Sequence, residues 1–251
     1  MSGILILCAT EFEMSGFLKK FPQASKKVLK SGAVLYAGPA WHCLITGPGV
    51  FNTAMGLGAY LEHHTPKVIL DTGIAGVFAP CGLALGDIAV ATQDEYLHTG
   101  VGSAPFLRSS LPFELILDCP DTRHGLYRFE SELVCFWQTR MEKRMDDSQA
   151  CIAQGPFLTV SGITSNKDQA RMLYEQSPFI MESMEGAAAA HTATCYGIPM
   201  VEIRAASNRV GEGDKQLWNF DLACEGVKNI CLAALADSFT AIDENFKRKN
   251  L

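Results

Sequence analysis

Met184-Glu185-Gly186-Ala187-Ala188-Ala189-Ala190 opens an Ala-rich run that continues to Tyr196 and stops at Gly197-Ile198-Pro199. The run reads as a helix over Met184–Tyr196, with Gly197 as its C-cap and Pro199 barring continuation. Met200-Val201-Glu202-Ile203-Arg204-Ala205 then reads as a strand that ends in Ala206-Ser207-Asn208. An apolar helix feeding a strand through a short turn is half of an α/β repeat.

The same alternation extends outward in both directions. Ile4–Ala9 is a continuous apolar run of the kind that forms a central strand buried on both faces. Thr10 caps the helix that follows, whose first turn carries Glu11 and Glu13. Ala33–Tyr36 and Trp41–Thr46 read as strands around Gly38-Pro39, and Gly47–Asn52 leads into a helix to about His63. Lys67–Asp71 is the next buried strand, ending in the small-residue loop Thr72-Gly73-Ile74-Ala75-Gly76, and Gly86–Ala91 is another. Residues 97–125 read as a long surface excursion with Leu115–Leu117 a short strand inside it. Ser131–Asp146, Lys167–Gln176 and Leu222–Phe246 read as helices, and Phe157–Ser161 as a strand. No linker interrupts residues 1–251, so one domain is expected, a three-layer α/β/α fold on a mostly parallel mixed sheet. Ligands of such sheets lie beyond the C-terminal strand ends. Those ends are Thr10–Glu13, Gly47–Asn52, Gly73–Gly76, Ser161–Asn166 and Ser207–Asn208.

Composition narrows the function classes. A hydrophobic share of 48% with 19% charged residues describes a compact soluble chain. The net charge of -6 is spread along the chain and argues against nucleic acid as a partner. Nine cysteines without a CxxC fit reduced thiols of a cytoplasmic protein, and neither they nor the six histidines show metal spacing. The apolar run at Ile4–Ala9 is too short for a signal peptide, and no 18-residue apolar stretch offers a membrane span. Neither GxxxxGK[ST] nor GxGxxG occurs, so no cofactor is expected.

Each candidate site residue has a plain reading beside a functional one. Glu13 is either a solvated acid favouring its helix N-terminus or a general base that activates water. Glu185, among Met184, Gly186 and alanines, is expensive to bury without donors. Either an ion pair with Arg204 or the two hydroxyls of a sugar diol would satisfy it, and both can hold together. Met184 packs the core or lies against a sugar face. Asn208 either turns the chain or uses its donor and acceptor on a 6-oxopurine, giving a hydrogen bond to O6 and accepting one from protonated N7. A 6-aminopurine suits a carboxylic side chain better at that corner. Ser207 bonds to the Asn208 amide or caps locally. Trp218-Asn219-Phe220, after the polar loop 211–216, is a flap over the pocket or an aromatic anchor for that loop.

Ala9-Thr10-Glu11-Phe12-Glu13, Asp71–Gly76, Met184-Glu185 and Arg204–Asn208, in this order, resemble the purine nucleoside phosphorylase and nucleosidase superfamily over nearly the whole chain. The resemblance implies a nucleoside phosphorylase-like fold, a small-molecule nucleoside substrate and a homo-oligomer, expected to be a dimer. It places the water-activating acid on Glu13, purine protonation on the stretch holding Asn208, and ribose binding on Met184 and Glu185. Gly76, Asn166, Arg204 and Ser207 complete the expected substrate-binding set. Nucleosidases that cleave adenine compounds carry Asp where this chain has Asn208, and a common hydroxyl residue is replaced by Ile74. Glu202–Asn208 with Trp218–Ala223 is most similar to the futalosine hydrolases, which release hypoxanthine from futalosine in a menaquinone pathway. A phosphorylase, an adenine nucleosidase and a non-catalytic nucleoside-binding protein are the alternatives.

Overall fold

The computed structural model describes residues 3–104, 107–145 and 150–236. Its strands are β1 (Ile4–Cys8), β2 (Ser25–Val28), β3 (Val34–Ala37), β4 (Trp41–Ile45), β5 (Val68–Val77), β6 (Ile88–Tyr96), β7 (Val101–Ala104), β8 (Leu107–Ser109), β9 (Leu126–Arg128), β10 (Ile152–Thr159), β11 (Met181–Ser183) and β12 (Met200–Arg209). The helices are α1 (Glu11–Leu18), α2 (Val50–Leu61), α3 (Ser131–Arg144), α4 (Lys167–Gln176), α5 (Gly186–Tyr196) and α6 (Phe220–Leu235).

A ten-stranded mixed sheet runs in the order β11-β10-β6-β12-β5-β1-β4-β3-β2, with β9 on the side of β6. Its two longest ladders, β5–β12 and β6–β10, are parallel. β1, apolar and buried along its whole length, lies parallel between β4 and β5. The three residues of β11 pair parallel with β10, and Met181 and Glu182 also pair antiparallel with β5. Strands β5, β12, β6, β10 and β11 therefore close into a ring. Helices α1, α3 and α6 cover one face over a core that includes Met14, Phe17, Trp137, Val227 and Ile230. Helices α2 and α5 cover the other, where Leu57, Tyr60 and the α5 alanines meet Leu5, Leu44 and Ile69. Alanine suits α5 because its short side chains let the helix lie close to the strands while keeping high helix propensity.

Several boundaries move from their expected places. Thr72–Gly76 is not a loop: β5 continues to Val77 because β12 pairs with it as far as Arg209. β12 likewise runs past Ala205 and carries Ser207 and Asn208 within the strand, where a bulge falls between Ala206 and Asn208. Leu115–Leu117 forms no strand; Leu117 is 85% exposed. The 97–125 excursion instead holds the β7–β8 hairpin and a short 3-10 turn at Pro120–His124. The final helix begins two residues earlier than expected, at Phe220, and its expected end at Phe246 lies outside the described residues, as does Asp146. No described helix is long and apolar enough to cross a membrane.

Candidate active site

One cavity of about 320 Å³ opens at the C-terminal ends of β1, β4, β5, β10 and β12. It gathers Glu13, Gly76, Met184, Glu185, Ser207 and Asn208 from the expected set, and adds Glu182. No Lys or Arg among the described residues lines it.

Glu13 is placed by the cap of α1. The Thr10 hydroxyl oxygen accepts from the Glu13 amide at 3.2 Å, and the same hydroxyl donates to Glu13 Oε2. The backbone N–H of Ile74 donates to Oε1 at 3.0 Å. The carboxylate is thus buried and pinned between the first strand's exit and β5, with lone pairs remaining on both oxygens.

Glu185 stands just before α5. Its Oε1 accepts from the Gly49 N–H at 2.8 Å and its Oε2 from the Met184 N–H at 3.3 Å. Arg204 Nη1 approaches Oε2 at 3.6 Å. Burial pushes this carboxyl above the ordinary range, while Arg204 and the backbone donors pull the other way.

Arg204 lies behind Glu185 and does not line the cavity. Its Nη2 donates to Asp71 Oδ2 at 2.6 Å and its Nε to Glu202 Oε1 at 2.9 Å. Burial alone would lower its pKa, but Asp71, Glu202 and Glu185 outweigh that and hold it well above the usual value. A side chain on Gly73 would begin only 2.7 Å from Arg204 Nη1 and 2.8 Å from Glu13 Oε1. The cation therefore sits beside the Gly73–Gly76 segment, where three carboxylates already engage it.

Beyond Arg204 the acids outnumber their donors. Asp94 Oδ2 and both Glu202 carboxylate oxygens lie within 2.4 Å of the point where a Gly186 side chain would start. Asp94 Oδ1 and Glu202 Oε2 have no hydrogen-bond partner among the described residues. Two ionised carboxylates this close repel; one proton converts the pair into donor and acceptor. That proton belongs on Asp94, because Glu202 already accepts from Arg204, whereas Asp94 accepts from Thr159 Oγ1 at 2.9 Å. Burial, and after it Glu202, pushes the Asp94 carboxyl well up.

Asn208 is oriented by its neighbours. The Ser207 hydroxyl lies 2.8 Å from Asn208 Oδ1 and 3.1 Å from the Ala75 carbonyl, and can donate to either. Asn208 Nδ2 donates to the Arg209 carbonyl at 3.2 Å. One N–H and one acceptor lone pair of the amide remain for a ligand. Asn166 is elsewhere: its side chain caps α4, accepting from Asp168 and Gln169 amides at 2.9 and 3.0 Å, and it does not line the cavity. Trp218 and Phe220 do line it, and Trp218 Nε1 also donates to the Glu212 carbonyl, so the aromatic pair both walls the pocket and ties down its loop.

Residues 3–239 match the model of the Phosphorylase superfamily. The chain belongs to that superfamily. A curated superfamily relative, the futalosine hydrolase of Streptomyces coelicolor, is 28% identical over 246 residues, covering 94% of this chain and 92% of its own. The 5'-methylthioadenosine/S-adenosylhomocysteine nucleosidase of Actinobacillus succinogenes is 28% identical over 172 residues, 68% of each chain. Among solved structures, the nucleosidase of the same name from Colwellia psychrerythraea, in complex with adenine, superposes with a TM-score of 0.78 at 19% identity, covering 94% of this chain and 96% of that one. The Neisseria meningitidis nucleosidase bound to methylthio-immucillin-A gives 0.76 at 17% identity, covering 93% and 98%. These structural likenesses show that the chain shares their fold.

Glu182 was missed from sequence although it stands three residues before Glu185. A second acid in so apolar a stretch was the available signal.

Proposed function

We propose that this chain hydrolyses the N-ribosidic bond of futalosine, releasing hypoxanthine and dehypoxanthine futalosine for menaquinone biosynthesis. The observation that carries the reading is the meeting of Glu13, Glu185 and Asn208 in one cavity with no Lys or Arg of the described residues on its wall. The similarity to a futalosine hydrolase over 94% of the chain supports the substrate. On this reading residues 1–251 act as one domain of a cytoplasmic homodimer.

In the proposed mechanism, Glu185 accepts from the ribose hydroxyls while Arg204 and the Gly49 amide hold its carboxylate in place. Met184 lies against the sugar. Glu13, held by Thr10 and the Ile74 amide, orients and deprotonates water. Both carboxylates also favour the positive charge that develops on the sugar in an oxocarbenium-like transition state. Asn208 donates to O6 and accepts from N7–H as the base departs, with Ser207 supporting its amide. An amide cannot itself supply the N7 proton, so that proton comes from solvent or a neighbouring donor.

Phosphorolysis fits the cavity poorly. Phosphate would meet Glu13, Glu182 and Glu185 with no Lys or Arg of the described residues lining the wall, and like charges repel. A chromatographic assay of futalosine, methylthioadenosine and inosine, with and without phosphate, tests the reading. Hypoxanthine release from futalosine at a rate indifferent to phosphate is expected. Ribose-1-phosphate products, or adenine release as the faster reaction, would overturn it, and measurable nucleoside affinity without base release would make the chain a binding protein.

A further inference from the structure

Glu182 has no part in the chemistry described so far, yet it faces the same cavity and is 5% exposed. In β11 it stands directly opposite Gly76 of β5, and Asn208 of β12 stands opposite the same Gly76 from the other side. Opposed residues on paired strands present to one face of a sheet. Glu182 and Asn208 therefore flank a position that carries no side chain. At a strand spacing of about 4.8 Å their backbones are about 10 Å apart, room for one heterocycle between the side chains. A Cβ on Gly76 would begin 3.2 Å from Asn208 Nδ2, so any larger residue would fill that floor.

Glu182 is also held for a purpose. Its Oε1 accepts from the Thr164 N–H at 3.0 Å and its Oε2 from the Thr164 hydroxyl at 2.6 Å. Burial raises this carboxyl above the ordinary range, while the Thr164 bonds pull the other way. An ionised carboxylate is an acceptor only, with about four lone-pair sites, and Thr164 uses two.

We propose that Glu182 accepts the N1–H of a 6-oxopurine whose O6 and N7 lie on Asn208, so that the two side chains grip opposite edges of one base across Gly76. This deepens the function proposed above and rests on it. A 6-oxopurine carries a proton at N1; a 6-aminopurine carries a lone pair there. The carboxylate thus rewards one base and repels the other, the kind of unpaired-acceptor penalty that gives strong discrimination. Glu182 is a specificity residue and takes no part in bond breaking.

The test compares kcat/KM for futalosine and its 6-amino counterpart in the wild-type protein and in Glu182→Gln. The variant is expected to lose about 10–100-fold of the 6-oxo preference, mainly through futalosine. An unchanged ratio removes Glu182 from base recognition and leaves the hydrolase reading standing. A wild-type protein that releases no 6-oxopurine overturns both. A second measurement needs no variant: the wild-type protein with the N1-methyl derivative of its 6-oxo substrate. A loss of at least about tenfold is expected there, from the missing N1–H; equal turnover overturns the contact.

Discussion

Two groups of carboxylates lie back to back in this molecule, and they are built differently. Glu13, Glu182 and Glu185 face the cavity, and each of their oxygens has a donor nearby from a backbone amide, a threonine hydroxyl or Arg204. Asp71, Asp94 and Glu202 lie behind, fully buried, and leave Asp94 Oδ1 and Glu202 Oε2 unserved. The first group is held in place and still has lone pairs to give a ligand. The second spends its charge on Arg204 and sheds the excess by keeping a proton. Arg204 joins the two, touching Asp71 and Glu202 on one side and Glu185 on the other. The lesson is that a neutral, diol-bearing ligand can be met by carboxylates only if the cation that steadies them is kept out of its reach.

The largest effect expected from breaking this contrast is at Glu13. Glu13→Gln keeps an acceptor for the Ile74 amide but removes the base, and should lower kcat by about 10²–10⁴ with KM little changed. Steady-state kinetics on futalosine read it directly; an unaltered kcat would take Glu13 out of the chemistry. Arg204→Met cuts the link between the two groups and strands buried carboxylates, which should cost about 3–5 kcal/mol of stability in denaturant titration. A loss under about 1 kcal/mol would mean the acids are already neutral without it.

Smaller changes sharpen the contrast. Asn208→Asp should move preference from 6-oxo toward 6-aminopurine nucleosides by about tenfold or more, through the donor and acceptor exchanged at O6 and N7. Because burial raises Glu185, its ionised form is lost on acidification earlier than for an ordinary carboxylate. The acid limb of the kcat/KM profile should therefore begin above the usual carboxylate range, and a limb confined to that range would contradict the assignment.

The smallest effect belongs to Asp94. Its folded pKa is raised, so its stabilising contribution is complete below the unfolded value and is lost as pH climbs through the folded one. Asp94→Asn mimics the protonated form, accepting from Thr159 while donating to Glu202. Tm should match wild type in acid and exceed it in alkali, by about 2–4 °C for each kcal/mol recovered. Parallel Tm curves across pH would show that Asp94 carries no shifted proton.

Much of this was legible in the chain. The apolar runs at Ile4–Cys8 and Val68–Leu70, the Ala-rich helix with its Gly197 stop, and the Lys167–Gln176 helix all follow from local periodicity and capping. β2 was not legible, because Ser25-Lys26-Lys27-Val28 is exposed throughout and shows no buried face. β11 was too short to register, and Thr72–Gly76 looked like a loop because Gly, Ala and Thr carry weak strand signals.

Sequence alone named the residues proposed to carry the chemistry: an acid after the first strand, an acid before the alanine helix, and an amide near the end of the last strand. These are local facts, set by side-chain type and by the caps and strand ends that hold them. Tertiary structure decided what each one meets. It extended β5 and β12 against each other, left Asn166 at a helix cap, set Arg204 behind Glu185, and brought Glu182 into line with Gly76 and Asn208. Register between strands far apart in the chain depends on cross-strand hydrogen bonds and packing, and no short window of residues contains those partners.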